Sequence, residues 1–190
     1  MVASDDHLPT KSAQEILLFW FNETKPAQWW RRDDKFDATI VERFGKIHAQ
    51  AAIGTLDDWQ NHPQNCLALI VVLDQFSRNI FRDTPSAFAC DDKAQILAKH
   101  ALLQKFDLEA NEQRRAFFYL PFMHAECIDA QKQCVALHKE RLPTTSDGQH
   151  ALEHFNIIKE FGRFPHRNKI LNRQSTKAEI EFLQNGGFNP

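Results

Sequence analysis

The sequence has little glycine, no low-complexity tract, no excess of charge and no long apolar run. Its 190 residues include 6 Gly and 8 Pro, which argues against a fibrous or disordered chain. The 23 basic and 25 acidic side chains give a net charge of -2, so no overall field favours nucleic acid or an anionic membrane. The longest apolar run, 66–73, has eight residues, far fewer than the ~20 that cross a bilayer. What remains is an ordinary globular protein, with 16 Phe and 4 Trp available for its core.

The sequence also shows no pattern typical of a targeting signal or of a disulfide framework. The first ten residues contain no apolar stretch, so we expect no signal peptide. The four cysteines, Cys66, Cys90, Cys127 and Cys134, fall in apolar or helical patterns and are interpreted as reduced core thiols. Both features predict a cytoplasmic location.

Apolar residues recur at helical spacing between residues that cap or end helices. No alternating strand pattern longer than four residues competes with this, except that 66–81 could be read as a buried strand; its length favours a helix. Pro121 should kink or split the helical run 113–142. The predicted helix starts are a capping box at Ser12 and Glu15, Asp33 or Asp34, Pro63, Asp91 or Asp92, Asn111, His150, and a capping box at Thr176 and Glu179; the predicted ends include Phe21, Gly54 and Gly162.

The sequence therefore predicts an all-α protein of about eight helices joined by short loops. We expect an N-terminal tail, residues 1–11, and one helical domain, residues 12–190. No repeat of 30 to 45 residues is evident.

One candidate site follows directly after the most apolar run. Asp74 and Arg78 are four residues apart, so on a helix they share a face and can pair. Arg82 lies one turn further, which places two guanidinium groups at the end of a core element. The alternative is a surface ion pair at a helix C-terminus, where cations are favoured.

A second candidate is the segment 159–177, which holds six Lys or Arg and one acid. Arginine forks suit bidentate capture of carboxylate or phosphate, and a helix start opened by Pro165 would add free amides. The alternative is a solvated basic loop, but Phe161 and Phe164 favour an ordered, packed turn.

A third candidate comes just after Pro121, where His124 and Glu126 lie in apolar surroundings. A carboxylate there needs a partner or its pKa rises. Glu126 could thus be a general base, although a buried structural pair is the commoner outcome.

Metal and nucleotide sites have weak support. Residues 150–154 match the H-x-x-E-H pattern of inverted zinc peptidases, but those enzymes need a further acidic ligand far downstream and the sequence continues for only 36 residues. We therefore predict no metal and no cofactor, with His154 a pocket or core histidine. No phosphate-binding glycine loop and no nucleophile elbow is present.

Several long motifs resemble the bacterial family called domain of unknown function 924. They are the entry Ile16 to Phe21, the stretch Leu67 to Arg82 with D-Q-F-S-R-N-I-F-R, the segment Tyr119 to Glu126, His154, and F-G-R-F-P-H-R-N at 161–168. The similarity extends from about Ser12 to Phe188. It implies a compact all-helical fold similar to tetratricopeptide-repeat proteins, with antiparallel hairpins in a right-handed stack, and it implies no activity.

The resemblance marks a set of polar positions as distinctive of the family. We predict that they converge on one concave face, with the loop of Trp29 and Trp30 as part of its rim, and bind a ligand. The set is Asp74, Gln75, Arg78, Asn79, Arg82, His124, Glu126, His154, Arg163, His166, Arg167 and Asn168.

Three functions stay open at this level. The leading hypothesis is a binding protein for an anionic small molecule or an acidic peptide. The second is a small cofactor-independent, hydrolase-like enzyme with Glu126 or His154 as its base. The third is a protein-interaction scaffold in which the polar set is a buried structural network. Nucleic acid and membrane partners are not expected, and the sequence does not predict an oligomeric state.

Overall fold

A computed structural model describes residues 9–145 and 147–188, and this part of the chain is all-α, without a β-strand. Eight of its helices have eight or more residues, as the sequence predicts. The helices are α1 (Lys11–Leu18), α2 (Pro26–Trp29), α3 (Asp34–Ala52), α4 (Pro63–Ile70), α5 (Ser77–Ile80), α6 (Asp91–Leu103), α7 (Phe106–Glu109), α8 (Glu112–Met123), α9 (Ile128–Arg141), α10 (Asp147–Phe161) and α11 (Lys177–Gln184); 3₁₀-helices span Asp57–Asn61, Pro85–Phe88 and Pro165–Arg167.

The first helix begins earlier than the capping box predicts. Thr10 is the N-cap, and its hydroxyl accepts from the backbone N–H of Ala13 at 3.2 Å, so the prediction of Ser12 as the cap is wrong. The N–H of Thr10 donates to Asn65 on α4 at 2.9 Å. The predicted tail therefore includes the N-cap and the first residue of α1, and residues 1–8 lie outside the described residues. Helix α1 continues as the π-helical turn Phe19–Glu23.

The central element is a helix and not a strand. Pro63 is its first residue, where a missing N–H costs nothing. Helix α4 passes through a π-helical segment, Val71–Phe76, into α5. Residues 65–77 are all buried, because this helix is apolar on every side at first and so must be covered by its neighbours.

The expected interruption near Pro121 occurs, but three residues later. Pro121 lies inside α8, and the chain leaves the helix after His124. The side-chain amide of Gln131 donates to the carbonyls of Met123 and Ala125 at 2.6 and 2.9 Å. It thereby pairs carbonyls that the C-terminal end of α8 leaves without an intrahelical partner. This break places His124 at a helix terminus and Glu126 in the connection to α9.

Other predicted boundaries are close to the observed ones. Asp33 caps α3, Asn111 caps α8, and Thr176 with Glu179 forms the predicted capping box of α11. Helix α10 begins at Asp147, three residues before the predicted start at His150. Asp91, one of the two predicted starts, is the first residue of α6, and Cys90 occupies the N-cap position.

One large core joins α1 through α9, and a smaller apolar cluster around Ile157, Ile158 and Phe164 joins α10 to the C-terminal segment. Three cysteines are buried and free, but Cys127 is exposed, which corrects its assignment to the core. No helix in the described ranges is long and apolar enough to span a membrane. Stacking of the tetratricopeptide type stays a prediction.

Candidate functional site

Five charged or titratable side chains from four parts of the chain meet below the surface, and we call them the polar centre. They are Asp74 from the π-helical segment that follows α4, Arg78 from α5, Asp91 at the start of α6, His124 at the end of α8, and Arg167 from the 3₁₀-helix Pro165–Arg167. Irregular helical turns supply two of them, Asp74 and Arg167. Such turns redirect side chains that a continuous α-helix would leave on other faces.

Asp74 is the anchor of the polar centre. Its carboxylate is 1% exposed and lies 3.1 Å from the guanidinium of Arg78, so the predicted pair exists and is buried. The neighbouring amide of Gln75 donates to Asp74 Oδ2 at 2.5 Å. Burial alone would raise the pKa of Asp74, but the charge of Arg78 and the hydrogen bonds from His124 and Gln75 outweigh it and hold that pKa below its ordinary value. Asp74 is therefore ionised at neutral pH.

His124 is held by the same carboxylate. Its Nδ1 lies 2.8 and 3.0 Å from the two carboxyl oxygens of Asp74, so Nδ1 carries the proton and donates it. Burial lowers the pKa of His124 more than the charge of Asp74 raises it. The neutral ring then presents an unprotonated Nε2, which has no hydrogen-bond partner among the described residues.

Arg167 lies between two aromatic rings. Its guanidinium carbon is 4.6 Å from the ring centre of Phe88 and 4.5 Å from that of Phe164. Its side chain is 7% exposed, and its one ion pair within the described chain is to Asp91 Oδ2, at 3.5 Å. Its Nε is buried without a partner. Burial and the nearby Arg78 lower the pKa of Arg167 to about 10, so the group remains charged at neutral pH.

Asp91 links the two arginines. Arg78 donates to Asp91 Oδ2 at 3.1 Å, the oxygen that also faces Arg167. Asp91 Oδ1 is buried without a hydrogen-bond partner, although the guanidinium of Arg78 lies 3.0 Å away. Burial raises the pKa of Asp91, and Arg78 opposes that effect.

Two further histidines border the polar centre beside Phe164. The His154 ring centre is 6.5 Å from that of His124 and 4.6 Å from that of Phe188. Its Nδ1 donates to the carbonyl of His150 at 2.8 Å, while Nδ1 of His166 is buried without a partner. Burial lowers the pKa of His154 to about 4 and that of His166 to about 3. Both rings are neutral at pH 7, and Phe188 packs on both.

Glu126 belongs to a separate group of contacts that holds the C-terminal loop. We call this group, which consists of Glu126, Arg173 and the backbone of Phe164, the clasp. Arg173 donates to both of its carboxyl oxygens, at 2.5 and 2.9 Å, and the N–H of Phe164 donates to Oε1 at 2.8 Å. Burial raises its pKa, but Arg173 and this backbone donor outweigh it and the pKa of Glu126 is lowered. A carboxylate with a lowered pKa and both oxygens occupied is a poor general base.

The other arginines of the predicted set are fully used by carboxylates elsewhere. Arg163 binds Glu179 through two nitrogens, at 2.6 and 2.8 Å. Arg82 binds Asp37 on α3 in the same way, at 2.5 and 2.8 Å, and Asn79 donates to Asp37 at 2.8 Å. These residues stabilise contacts between helices and do not join the polar centre.

Asn168 is buried beside the clasp. Its side-chain oxygen accepts from Arg173 at 2.9 Å, and its amide donates to Ser175 at 3.1 Å. It shapes the loop that delivers Arg167. The aromatic pair Trp29 and Trp30 packs against Phe117 on α8 and not against the polar centre, so the predicted rim is not formed by them.

The predicted convergence is therefore partial. Asp74, Arg78, His124 and Arg167 come together, with His154 and His166 at the border. Sequence reasoning missed Asp91 as a site residue because its position suggested a helix cap. It also missed Phe88, whose contact with Arg167 joins positions 79 apart in the chain and leaves no local signal.

The H-x-x-E-H pattern does not form a site. His150 is exposed and lies 3.4 Å from Glu153, whereas His154 is buried and points toward Phe164. Within the two described ranges no group of three His, Cys, Asp or Glu side chains is arranged to hold a metal ion. Two surface grooves lie elsewhere, one beside Leu18 and Arg114 and one beside Leu67 and Phe118.

Comparison with known proteins supplies a family but no activity. The model of a family described as "Bacterial protein of unknown function (DUF924)" matches residues 16–187. A solved structure of a protein of unknown function from Agrobacterium tumefaciens is 40% identical, with a TM-score of 0.87; the match covers 92% of this chain and 97% of that one. A search of curated proteins finds no significant match.

Proposed function

We propose that this chain, which belongs to the bacterial family called domain of unknown function 924, binds a small oxyanion, a carboxylate or phosphate, at its polar centre. The observation that carries the proposal is Arg167. It is buried between two phenyl rings with its Nε unpartnered and one ion pair at 3.5 Å. A buried charge without good hydrogen bonds is costly, and an oxyanion would supply the missing acceptors.

The neighbouring arginines make the contrast clear. Arg163 and Arg173 lie in the same basic segment, and each makes a bidentate contact with a carboxylate of this chain. Arg167 carries the same fork and has no such partner in the described residues. Bidentate recognition of carboxylate or phosphate is the chemistry for which this group is best suited.

The two other functions receive less support from the geometry. Glu126 is occupied by Arg173 and the N–H of Phe164, which weakens the hydrolase hypothesis that uses it. His154 keeps a free Nε2, but its low pKa makes it a weak base. A purely structural polar centre would be expected to satisfy its arginines, as the clasp does.

A thermal-shift titration tests the proposal. Phosphate, acetate, succinate and citrate are added to the wild type, Arg167→Met and Arg82→Met. A ligand at 100 times its Kd stabilises the native state by about 2.7 kcal/mol, which raises the Tm by roughly 5 to 10 °C in a chain of this size. We expect this shift for at least one oxyanion in the wild type and in Arg82→Met, the matched control.

Arg167→Met should fold and show no shift. A shift that survives in Arg167→Met would place the anion elsewhere and refute the proposal, as would a wild type that responds to none of the four anions. A short peptide rich in Asp and Glu, titrated in parallel, separates a macromolecular source of the carboxylate from a free small molecule.

A further inference from the structure

The polar centre offers a hydrogen-bond acceptor as well as a cation. We propose that its ligand is a hydroxycarboxylate. Nε2 of His124 accepts a hydrogen bond from the ligand's hydroxyl group, while Arg167 holds its carboxylate. This inference rests on the proposed function and adds a second contact and a substrate class to it. Asp74 acts in it as a positioning residue.

The orientation of His124 follows from geometry. Both carboxyl oxygens of Asp74 lie within 3.0 Å of Nδ1, and an ionised carboxylate can only accept, so Nδ1 donates. The neutral imidazole then has its lone pair on Nε2. A carboxylate behind a histidine fixes the tautomer and the direction of the ring, and raises the basicity of the distal nitrogen.

Asp74 is rigid enough to impose that orientation. It is 1% exposed, and besides His124 it receives Gln75 at 2.5 Å and faces Arg78 at 3.1 Å. Arg78 lies beside Oδ1, and Gln75 donates to Oδ2. In the other tautomer of His124 an unprotonated Nδ1 would face this ionised carboxylate, lone pair against lone pair, so the Nε2–H form is disfavoured.

The polar centre contains both a donor and an acceptor that lack hydrogen-bond partners among the described residues. Arg167 Nε is a buried donor without a partner, and Nε2 of His124 is an acceptor to which no described residue donates. Asp91 Oδ1 already faces the guanidinium of Arg78 at 3.0 Å. A simple carboxylate would satisfy the donor and leave the histidine acceptor unpaired, so a ligand that also carries a hydroxyl group matches the site better.

Paired ligands that differ by one hydroxyl group give the decisive test. Calorimetric titration compares lactate with propionate, 3-hydroxybutyrate with butyrate, and malate with succinate. One hydrogen bond to a buried partner corresponds to a preference of about five- to tenfold in Kd. We expect this preference in at least one pair for the wild type, and the pair that shows it gives the spacing of hydroxyl and carboxylate.

Two variants locate the hydroxyl contact. His124→Asn keeps a donor near the position of Nδ1 for Asp74 and removes the group at Nε2, so it should bind both members of the pair equally, with the affinity that the wild type shows for the deoxy ligand. Arg167→Met should lose both. Equal affinities for both members of every pair in the wild type would refute the hydroxycarboxylate and leave the oxyanion site standing. Failure of all six to bind would also refute the hydroxycarboxylate, and the phosphate titration above would then decide the oxyanion site.

A measurement without ligand tests the same step. Long-range ¹H–¹⁵N spectra of the wild type report which nitrogen of His124 is protonated, with His124→Asn giving the assignment. We expect the Nδ1–H form at pH 7, and Asp74→Asn should shift the population toward the Nε2–H form. An Nε2–H ring in the wild type would overturn the inference whatever the titrations show.

Discussion

Two buried clusters in this protein are built from the same residue types and differ in what their arginines do. The first is the polar centre. The second, which we call the Asp107 cluster, consists of Asp107 on α7, Arg115 and Tyr119 on α8, and Arg141 at the end of α9. Arg115 donates to three backbone carbonyls, at 2.9 to 3.0 Å, and Arg141 and Tyr119 both donate to Asp107 at 2.7 Å.

The carboxylates of the two clusters are alike, since Asp107 Oδ1 and Asp91 Oδ1 are both buried without a hydrogen-bond partner. The contrast lies on the cationic side. Every guanidinium nitrogen of Arg115 is bonded, whereas Arg167 has an unpartnered Nε and aromatic contacts. A network that only stabilises the fold uses its donors internally, so the open donors of Arg167 indicate a group kept for a ligand.

The largest effect is expected at Asp107. Its carboxylate is fully buried, and Asp107→Ala leaves the hydroxyl of Tyr119 and the guanidinium of Arg141 without their partner. Removing one member of a buried pair costs about 3 to 5 kcal/mol. Urea denaturation should show this loss in the free energy of unfolding, whereas Asp129→Ala, at an exposed pair with Lys132, should cost about 1 kcal/mol or less. Similar losses in the two variants would contradict the assignment of Asp107 as a structural centre.

A matched pair of arginine variants tests the comparison most directly. Arg115→Met removes three donors from buried carbonyls and should cost about 3 kcal/mol. Arg167→Met replaces a poorly bonded charge by an apolar side chain between two phenyl rings, and Asp91 keeps Arg78, so stability should change by less than about 1 kcal/mol.

The two values come from the same denaturation experiment. If Arg167→Met lowers the free energy of unfolding as much as Arg115→Met does, the polar centre has a structural role and the contrast between the clusters disappears. The search for function would then turn to protein partners.

Local patterns predicted most of the fold and about half of the candidate site. Capping residues at Asp33, Asn111 and Thr176, together with apolar spacing, were sufficient because a helix is defined by neighbours within a few residues. The failure at Ser12 is an error of two residues, where two hydroxyl side chains compete for the cap, and α10 begins three residues before its predicted start. For the site, residue type alone could not separate Arg167 from Arg163, because their partners lie far away in the sequence and only packing brings them together.

Acid should weaken the protein through the histidines beside the polar centre. His154 and His166 have pKa values lowered to about 4 and about 3 by burial, against about 6.5 in an unfolded chain. The unfolded state therefore binds more protons below pH 6.5, so their contribution is complete above that pH and is lost as the pH falls toward the folded values. Each should remove about 2 kcal/mol between pH 7 and pH 5, and His138, whose pKa is also lowered by burial, acts in the same direction.

Denaturation at a series of pH values checks this slope. His154→Gln should flatten it by the share of one histidine, while His150→Gln, an exposed position on the same helix, should leave it unchanged. Equal slopes in the wild type and His154→Gln would show that this ring takes up a proton without strain, and that the border of the polar centre is wetter than the structure indicates.

The smallest predicted effect concerns the aromatic faces that replace hydrogen bonds around Arg167. Phe88→Leu keeps an apolar side chain and removes one of the two rings, so it should cost about 1 kcal/mol, the size of a partly desolvated cation–π contact. In Arg167→Met the same substitution should cost less, because only the guanidinium of Arg78, whose carbon lies 5.8 Å from the ring centre, still faces Phe88, and the difference in this double-mutant cycle is the energy of the Arg167 contact. Phe21 faces the guanidinium of Arg114 at 5.3 Å, so Phe21→Leu is the matched control. Its cost in free energy of unfolding should be the same in the wild type and in Arg167→Met. A coupling of zero at Phe88 would mean that the rings only exclude water from Arg167, in which case the guanidinium depends on an external anion even more strongly.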